Sequence, residues 1–266
     1  MKAFKKEELR ALEARIHRIE RPKARCAGAV TLGLAMIDSG LPNGGLPKAA
    51  VHEVTGSAGG GFAALVAGRI CGEGKSVLWC VEEGSTVGLY GPGLAAFGVA
   101  TERLVVVRCP TADEMLWAME EGLREEALGL VIGEPAKPVS LTASRRLQLA
   151  AEAGGTMGLI LCRGRGRGGS RGGVRGDGYG ACEEALSPSA VTTRWQADSR
   201  PALGSRDTGT PKTRWQLALR RCRGAEQEIS WDVEWDDATH TLALAADAGR
   251  GTLVSPDQTS QTSLAG

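Results

Sequence analysis

The sequence feature that most constrains the fold is a glycine-rich stretch that lies between an apolar run and a helical pattern. Residues 51–55 form the apolar run, residues 56–61 contain four glycines, and residues 64–70 have the composition of a helix. A buried strand, a tight loop and a helix in this order are the building unit of a parallel sheet. We therefore expect the loop at the carboxyl end of a strand, where the N-terminus of the following helix can face an anion.

The glycines of this stretch have the spacing of the phosphate-binding motif G-x-x-x-x-G-K-[ST]. Gly56 and Gly61 hold the two glycine positions, but Phe62 stands in the lysine position and Ala63 in the hydroxyl position. In a working loop the lysine reaches the phosphates and the hydroxyl binds Mg²⁺. A helix N-terminus alone contributes only about 0.3–2 kcal/mol to anion binding. We expect a loop that keeps the backbone conformation of this motif but lacks the lysine and the hydroxyl that bind phosphate and Mg²⁺. The alternative is a plain glycine-rich turn.

Apolar runs and helical patterns alternate through the rest of the first two thirds. Four further runs predict buried strands, at 76–81, 104–107, 128–133 and 157–162. Helical patterns at 113–126 and 140–153 separate them, with Thr111 or Asp113 as the cap of the first. Such alternation predicts an α/β fold, with a parallel sheet that helices cover on both faces.

The last third has the pattern of antiparallel strands. Alternating stretches surround Trp195, Trp215 and residues 229–235, and residues 241–244 complete a hairpin with the last of them. The tetrapeptide Thr-Arg-Trp-Gln occurs twice, beginning at Thr193 and at Thr213. We expect the tryptophans to form a core rather than a platform for stacking bases. The tail from Gly249 is rich in Thr, Ser and Gln, which predicts disorder.

Charge is unevenly distributed although the whole chain carries only +1. Residues 1–25 have a net charge of +5, residues 26–162 of −5, residues 163–223 of +8, and residues 224–266 of −7. Two basic segments beside an acidic core favour contact with nucleic acid or an acidic partner.

The first basic segment predicts an amphipathic helix over residues 5–19. Its apolar stripe consists of Leu9, Leu12, Ile16 and Ile19. This stripe must pack either on its own domain or on a partner protein.

The second basic segment begins with an Arg/Gly-rich stretch that cannot form a core. Its arginines are Arg163, Arg165, Arg167, Arg171 and Arg175. They can neutralise phosphates of single-stranded DNA, weakly and without sequence preference. A tolerated low-complexity insertion is the alternative reading.

Composition also bounds the compartment. The chain has no run of about 18 apolar residues and its first 25 residues are charged, so neither a membrane span nor a signal peptide is expected. Seven cysteines without a C-x-x-C pair favour reduced thiols and a cytoplasmic protein. Three histidines far apart give no metal or triad signature.

The order of these features resembles the RecA recombinase core. The resemblance covers residues 28–162 and rests on the Gly-Gly-Leu-Pro at 44–47, the glycine loop, the strand that ends in Glu82 and Glu83, and residues 105–114 leading into a helix. The altered glycine loop points within that superfamily to the ImuA family of bacterial mutagenesis cassettes. The cell-division inhibitor SulA is a further similar relative.

Few of the catalytic groups of the RecA core have a counterpart in this chain. Glu83 matches the position that activates the attacking water. Gly133 occupies the position at which the RecA core has an aspartate that orders Mg²⁺, and Glu134 is the residue after that position. Successive side chains of a strand point to opposite faces, so Glu134 is a poor substitute. We expect no ATP hydrolysis, no catalytic residue, no metal and no cofactor.

By resemblance, the chain would be a RecA-like, non-catalytic accessory in SOS (DNA-damage-induced) mutagenesis and error-prone translesion synthesis. Its partners would be the polymerase-like protein ImuB and, further, RecA and an error-prone DNA polymerase III α subunit. A DNA-dependent ATPase of the RecA class and a SulA-like inhibitor of cell division are the competing functions. The predicted layout is an N-terminal helix (1–25), a RecA-like core (26–162), an Arg/Gly-rich loop or linker (163–186), C-terminal strands completing the sheet (187–248) and a disordered tail (249–266).

Overall fold

The structure is a computed structural model that describes residues 28–83, 88–162, 188–201, 212–223, 228–245 and 252–253. The apolar stripe of the predicted N-terminal helix and the five arginines of the Arg/Gly-rich stretch lie outside these residues. The account below concerns the described part of the chain.

One sheet contains ten of the strands in the described residues. In chain order they are β3 (Val51–Thr55), β4 (Ser76–Glu82), β5 (Leu104–Cys109), β6 (Leu128–Glu134), β7 (Met157–Leu161), β8 (Thr193–Arg200), β9 (Thr213–Cys222), β10 (Ile229–Asp236), β11 (Thr241–Leu244) and β12 (Thr252–Leu253). A separate antiparallel pair joins β1 (Ala29–Val30) to β2 (Leu46–Pro47).

The sheet has a parallel part and an antiparallel part. Its order is β11-β10-β9-β8-β3-β7-β6-β4-β5, and β12 pairs with β10. The six neighbouring strands β8, β3, β7, β6, β4 and β5 run parallel to one another. Strands β9, β10 and β11 each run antiparallel to the strand before them in the chain. The predicted α/β fold with an antiparallel extension is confirmed.

Helices cover both faces of the parallel part. They are α1 (Ala35–Asp38), α2 (Gly59–Gly72), α3 (Gly91–Ala95), α4 (Ala112–Arg124) and α5 (Leu141–Gly154). Helix α2 packs on one face together with the tryptophans of β8, β9 and β10, and α4 and α5 pack on the other. No helix among the described residues is long and apolar enough to cross a membrane.

Local chemistry sets the ends of helices α4 and α5. The hydroxyl of Thr111 accepts the N–H of Glu114 at 3.2 Å, and that of Ser140 accepts the N–H of Ala143 at 3.2 Å. Both are side-chain N-caps. Gly155 follows α5 with φ +78°, a conformation that glycine adopts without strain and that ends a helix.

Three expectations need correction. Helix α2 begins at Gly59 and not at residue 64, because packing of its glycines outweighs their low helix propensity. The run at 104–107 is not a buried strand, since β5 forms the edge of the sheet and leaves Val105 52% and Val106 45% exposed. Within the tail predicted to be disordered, Thr252–Leu253 pair with β10.

His52 is a fully buried histidine that joins the parallel sheet to the small β1–β2 pair. Its Nε2 donates to the Pro47 carbonyl at 2.9 Å, and its Nδ1 accepts from the Thr193 hydroxyl at 2.7 Å. The Trp195 indole in turn donates to that hydroxyl at 2.9 Å. This network fixes the neutral tautomer. Burial lowers the pKa of His52 from 6.5 to about 4, against the opposing effect of the bond to Pro47.

Acid should therefore weaken the fold through His52. Between pH 6.5 and about 4 the unfolded chain binds a proton that the folded chain excludes, so the free energy of unfolding falls by up to about 3 kcal/mol over that range. Urea unfolding of the wild type and of H52Q at several pH values measures this contribution. H52Q should be less stable at pH 7.5 and lose less on acidification. The exposed His240 supplies the control, H240Q, which should retain the wild-type slope.

Candidate functional site

The glycine loop lies where the sequence predicts it, between the carboxyl end of β3 and helix α2. Gly56 has φ +97°, and a Cβ at this position would overlap the backbone carbonyl of Ala197 in β8. Only glycine permits this approach without strain. The loop is thus shaped as much by β8 as by its own sequence.

Strand β8 occupies hydrogen-bonding groups of the loop. The N–H of Ser57 donates to Oδ1 of Asp198 at 3.1 Å, and the N–H of Ala58 donates to the carbonyl of Ala197 at 2.9 Å. In return the Ser57 hydroxyl accepts the N–H of Ser199 at 2.8 Å. Backbone N–H groups in such a loop are the ones that cradle phosphates. Here two of them bind the chain's own oxygen atoms, one from a carboxylate.

The positions of the missing lysine and hydroxyl belong to the core. Phe62 and Ala63 are both fully buried in the first turns of α2. The ring of Phe62 lies 5.4 Å, centroid to centroid, from that of Trp195. A Cβ on Gly61 would come within 2.7 Å of the Trp215 ring. The substitution at the lysine position therefore serves packing between α2 and the antiparallel part of the sheet.

The two acidic residues at the end of β4 differ in their contacts. Glu82 accepts the N–H of Ala136 at 2.7 Å and so ties β4 to the chain beyond β6. The side chain of Glu83 is exposed, while its N–H donates to the Cys109 carbonyl at 2.7 Å. Of these two, Glu83 is the one that faces solvent.

The position of the expected magnesium-ordering aspartate is closed. A Cβ on Gly133 would overlap the thioether of Met119, so α4 fills the space that an aspartate would need. Glu134 points to the opposite face, as the alternation along a strand requires. It is 3% exposed, and its Oε1 accepts the Trp79 indole N–H at 2.8 Å. A glutamate held in this way is part of the core.

The carboxyl edge of the sheet is acidic around the loop. Four carboxylates lie at this edge, from Glu82 at the end of β4, Glu83 just after it, Glu134 of β6 and Asp198 of β8, against one arginine, Arg108 of β5. Arg200, which ends β8, pairs with Asp232 of β10 at 3.7 Å. Carboxylates at this edge oppose the approach of a triphosphate.

The structure brings the four predicted loop residues together with partners that sequence reasoning missed. These partners are Trp195, Ala197 and Asp198 of β8 and Trp215 of β9. The repeated Thr-Arg-Trp-Gln was the available signal, since each copy supplies one tryptophan against α2 and Asp198 follows the first copy by two residues. The five arginines and the N-terminal stripe lie outside the described residues.

Two curated relatives match most of the chain. Protein ImuA from two strains of Caulobacter vibrioides is 34% identical over 221 residues, which is 79% of this chain and 85% of each relative. The chain belongs to the ImuA family. No profile of a known protein family matches it. Among solved structures, the RadB recombinase superposes with a TM-score of 0.53 at 14% identity, covering 80% of this chain and 98% of that one. That likeness shows a RecA-like fold.

Adjacent glycines of α2 allow a matched test of the loop packing. Gly60 has open space where a Cβ would be, whereas Gly61 faces the Trp215 ring. G60A should raise the free energy of unfolding by up to about 1 kcal/mol through helix propensity, and G61A should lower it by about 1–3 kcal/mol through overpacking. Urea unfolding measures both. Equal effects of the two substitutions would contradict the packing of Trp215 against α2.

Proposed function

We propose that this ImuA-family protein is a non-catalytic accessory in SOS mutagenesis, which assists error-prone translesion synthesis through protein contacts. The observation that supports the proposal is the occupation of the glycine loop by β8. A loop whose N–H groups bind Asp198 and Ala197 has its own anion in place. The RecA-like fold then supplies surfaces rather than the energy of ATP.

A comparison of free energies favours this proposal over nucleotide binding. A phosphate would have to displace two hydrogen bonds, worth about 1 kcal/mol for the neutral one and about 1.5–3 kcal/mol for the one to a carboxylate. The interaction of the phosphate with the helix N-terminus would contribute only about 0.3–2 kcal/mol of binding free energy. Neither Phe62 nor Ala63 can contribute a cation or a metal ligand. Micromolar affinity requires about −8 kcal/mol, and the described residues of the loop supply no comparable gain.

The proposed partners follow from the family and its resemblance to RecA. They are ImuB and, further, RecA and an error-prone DNA polymerase III α subunit, with weak binding of single-stranded DNA by the Arg/Gly-rich stretch. The acidic edge around the loop is a poor surface for DNA phosphates. DNA contact is therefore assigned to the Arg/Gly-rich stretch, whose five arginines lie outside the described residues.

Calorimetric titration with Mg²⁺-ATP tests the absence of nucleotide chemistry. We expect no saturable heat up to about 1 mM nucleotide, an affinity limit of about −4 kcal/mol, with or without single-stranded DNA. RecA titrated under the same conditions is the positive control. Micromolar binding would return the DNA-dependent ATPase as the function.

A second prediction separates docking from catalysis in cells. In a bacterial strain from which the gene has been deleted, the full chain should restore damage-induced mutagenesis. A chain lacking residues 1–22 should restore neither mutagenesis nor co-purification with ImuB, because it lacks the apolar stripe of the N-terminal helix, which we propose as the docking surface for ImuB. E83Q should restore both, because no reaction depends on its carboxylate.

The controls make each outcome decisive. Equal cellular levels of the variants, measured by immunoblot, exclude a simple loss of protein. Unchanged co-purification of ImuB by the shortened chain would remove the N-terminal segment as the docking surface. Failure of E83Q at normal levels would favour catalysis. Filamentation of cells that overproduce the wild type would instead favour a SulA-like inhibitor.

A further inference from the structure

The outer face of the helix pair α4 and α5 carries exposed apolar side chains. Trp117 of α4 is 64% exposed, and Leu149 of α5 is 56% exposed. The five other tryptophans of the chain are each at most 4% exposed, so Trp117 is the exception. Large apolar side chains that are exposed on neighbouring helices indicate a docking surface. This face points away from the sheet and does not include the edge strand β5.

An ion pair between the two helices fixes their relative level. Helices α4 and α5 each lead into a strand of the parallel sheet from the same face, so they run in the same direction. Glu120 of α4 pairs with Arg146 of α5, which places these two residues at the same level along the helices. Trp117 therefore lies three residues before this level, and Leu149 lies three residues after it. A two-fold axis at this level brings the two apolar side chains together.

Each helix also has one exposed charged residue a single turn from its exposed apolar residue. Glu121 follows Trp117 by four residues, and Arg145 precedes Leu149 by four. Residues four apart lie on the same side of a helix, about 6 Å apart along its axis. The two helices thus carry the same spacing in opposite order and with opposite charge. A pattern of this kind is complementary to itself when the two helices cross in opposite directions.

We propose that this outer face binds a second copy of the chain in a two-fold symmetric dimer. The axis passes between α4 and α5 at the level of the Glu120–Arg146 pair, so α4 of one copy lies antiparallel on α5 of the other. Trp117 then packs against Leu149 of the second copy, and Glu121 meets Arg145 of the second copy. Because the interface is isologous, each of these contacts occurs twice.

The ion pairs within one copy leave room for this contact. Glu121 accepts Nη1 of Arg124 through its Oε1 at 2.6 Å, and an ionised carboxylate has about four acceptor sites on its two oxygens. Arg145 is exposed and has no ion-pair partner among the residues that the structure describes. A second arginine can therefore join Glu121 without breaking the pair that Glu121 already forms.

The net charges of the two helices favour a second copy over other partners. Helix α4 has four acidic residues and one arginine, a net charge of −3, whereas α5 has two arginines and one glutamate, a net charge of +1. A nucleic acid would be repelled by α4, and a basic segment would be repelled by the arginines of α5. A second copy places each acidic helix on the basic one, which satisfies both.

The size of the face predicts a weak dimer. Helices of 13 and 14 residues are about 20 Å long, and two of them side by side are about 20 Å wide. Each copy therefore contributes roughly 400 Å², which is at the low end for a specific interface. We expect a dissociation constant on the order of 10–100 µM.

A dimer at this face goes beyond the proposed function, because it depends neither on the glycine loop nor on the N-terminal stripe. A negative result in the experiments below leaves the ATP titration and the mutagenesis assay unaffected.

Sedimentation equilibrium of the full chain between about 1 and 300 µM measures the dimer. Acrylamide quenching of tryptophan fluorescence over the same range reports on the face itself, because Trp117 is the exposed indole. We expect a reversible dimer whose formation reduces the quenching. A monomer over the whole range, an open-ended series of larger oligomers, or a dimer that leaves the quenching unchanged would overturn the proposal.

Charge reversal tests the predicted pairing of residues. E121R and R145E should each weaken the dimer about tenfold or more, because like charges then meet at both copies of the contact. An equimolar mixture of the two variants should associate to within about threefold of the wild type, because every contact in the mixed dimer joins opposite charges. A mixture that associates no better than either variant alone would overturn the proposal.

Two apolar variants test the same face without charge reversal, so they remain informative even where a reversed variant does not fold. W117A and L149A should each weaken the dimer about tenfold or more. M36A removes a methionine that is 45% exposed on α1 and should leave the dimer unchanged. Circular dichroism melting confirms that each variant is folded. Unchanged association of both W117A and L149A would assign the dimer to another surface and overturn the proposal.

Discussion

The structure depends on the parallel pairing of β8 with β3. Four residue pairs, from His52 with Thr193 to Thr55 with Gln196, fix the register of the two strands. This register places Ala197 and Asp198 directly beyond the end of β3, against the glycine loop. It also directs Trp195 into the face that α2 covers. Strand β9 pairs with β8, and β10 pairs with β9, so the position of β8 also fixes the position of these antiparallel strands. The pairing of β8 with β3 therefore determines both the loop contacts and the aromatic core.

The loop contacts and the aromatic core reinforce one another. Burial of a large apolar side chain such as Phe62 contributes about 1.5–3 kcal/mol, and an aromatic pair such as Phe62 with Trp195 adds about 0.5–1.5 kcal/mol. Trp195, Trp215, Trp231 and Trp235 belong to this core together with α2. A lysine at position 62 would place an unpaired charge among these rings. The stability of the C-terminal strands and the capacity to bind a nucleotide thus compete for the same residues.

Local patterns in the sequence predicted much of the fold and part of the site. Alternating apolar runs and helical patterns sufficed for the parallel sheet, and the glycine spacing located the loop. The closure of the loop by Asp198 could not be predicted, because it joins residues 141 positions apart and leaves no local pattern. The expected start of α2 at residue 64 is wrong for a related reason. Gly59 and Gly61 pack closely against Leu161 and Trp215, which are distant in sequence. An apolar run also cannot distinguish a central strand from an apolar edge strand, so the expectation that residues 104–107 form a buried strand is wrong.

The distance in sequence between the loop and β8 has a consequence during synthesis. The ribosome completes the glycine loop well before it reaches Asp198, and at about 5–20 residues per second the interval is roughly 7–30 s. Strands β4 to β7 are synthesised during this interval, while the chain still lacks the oxygen atoms that later bind Ser57 and Ala58. Phe62 also lacks its tryptophan partners, so α2 has an incomplete apolar face. The nascent protein therefore passes through a stage in which its loop is open and its future core is exposed to chaperones.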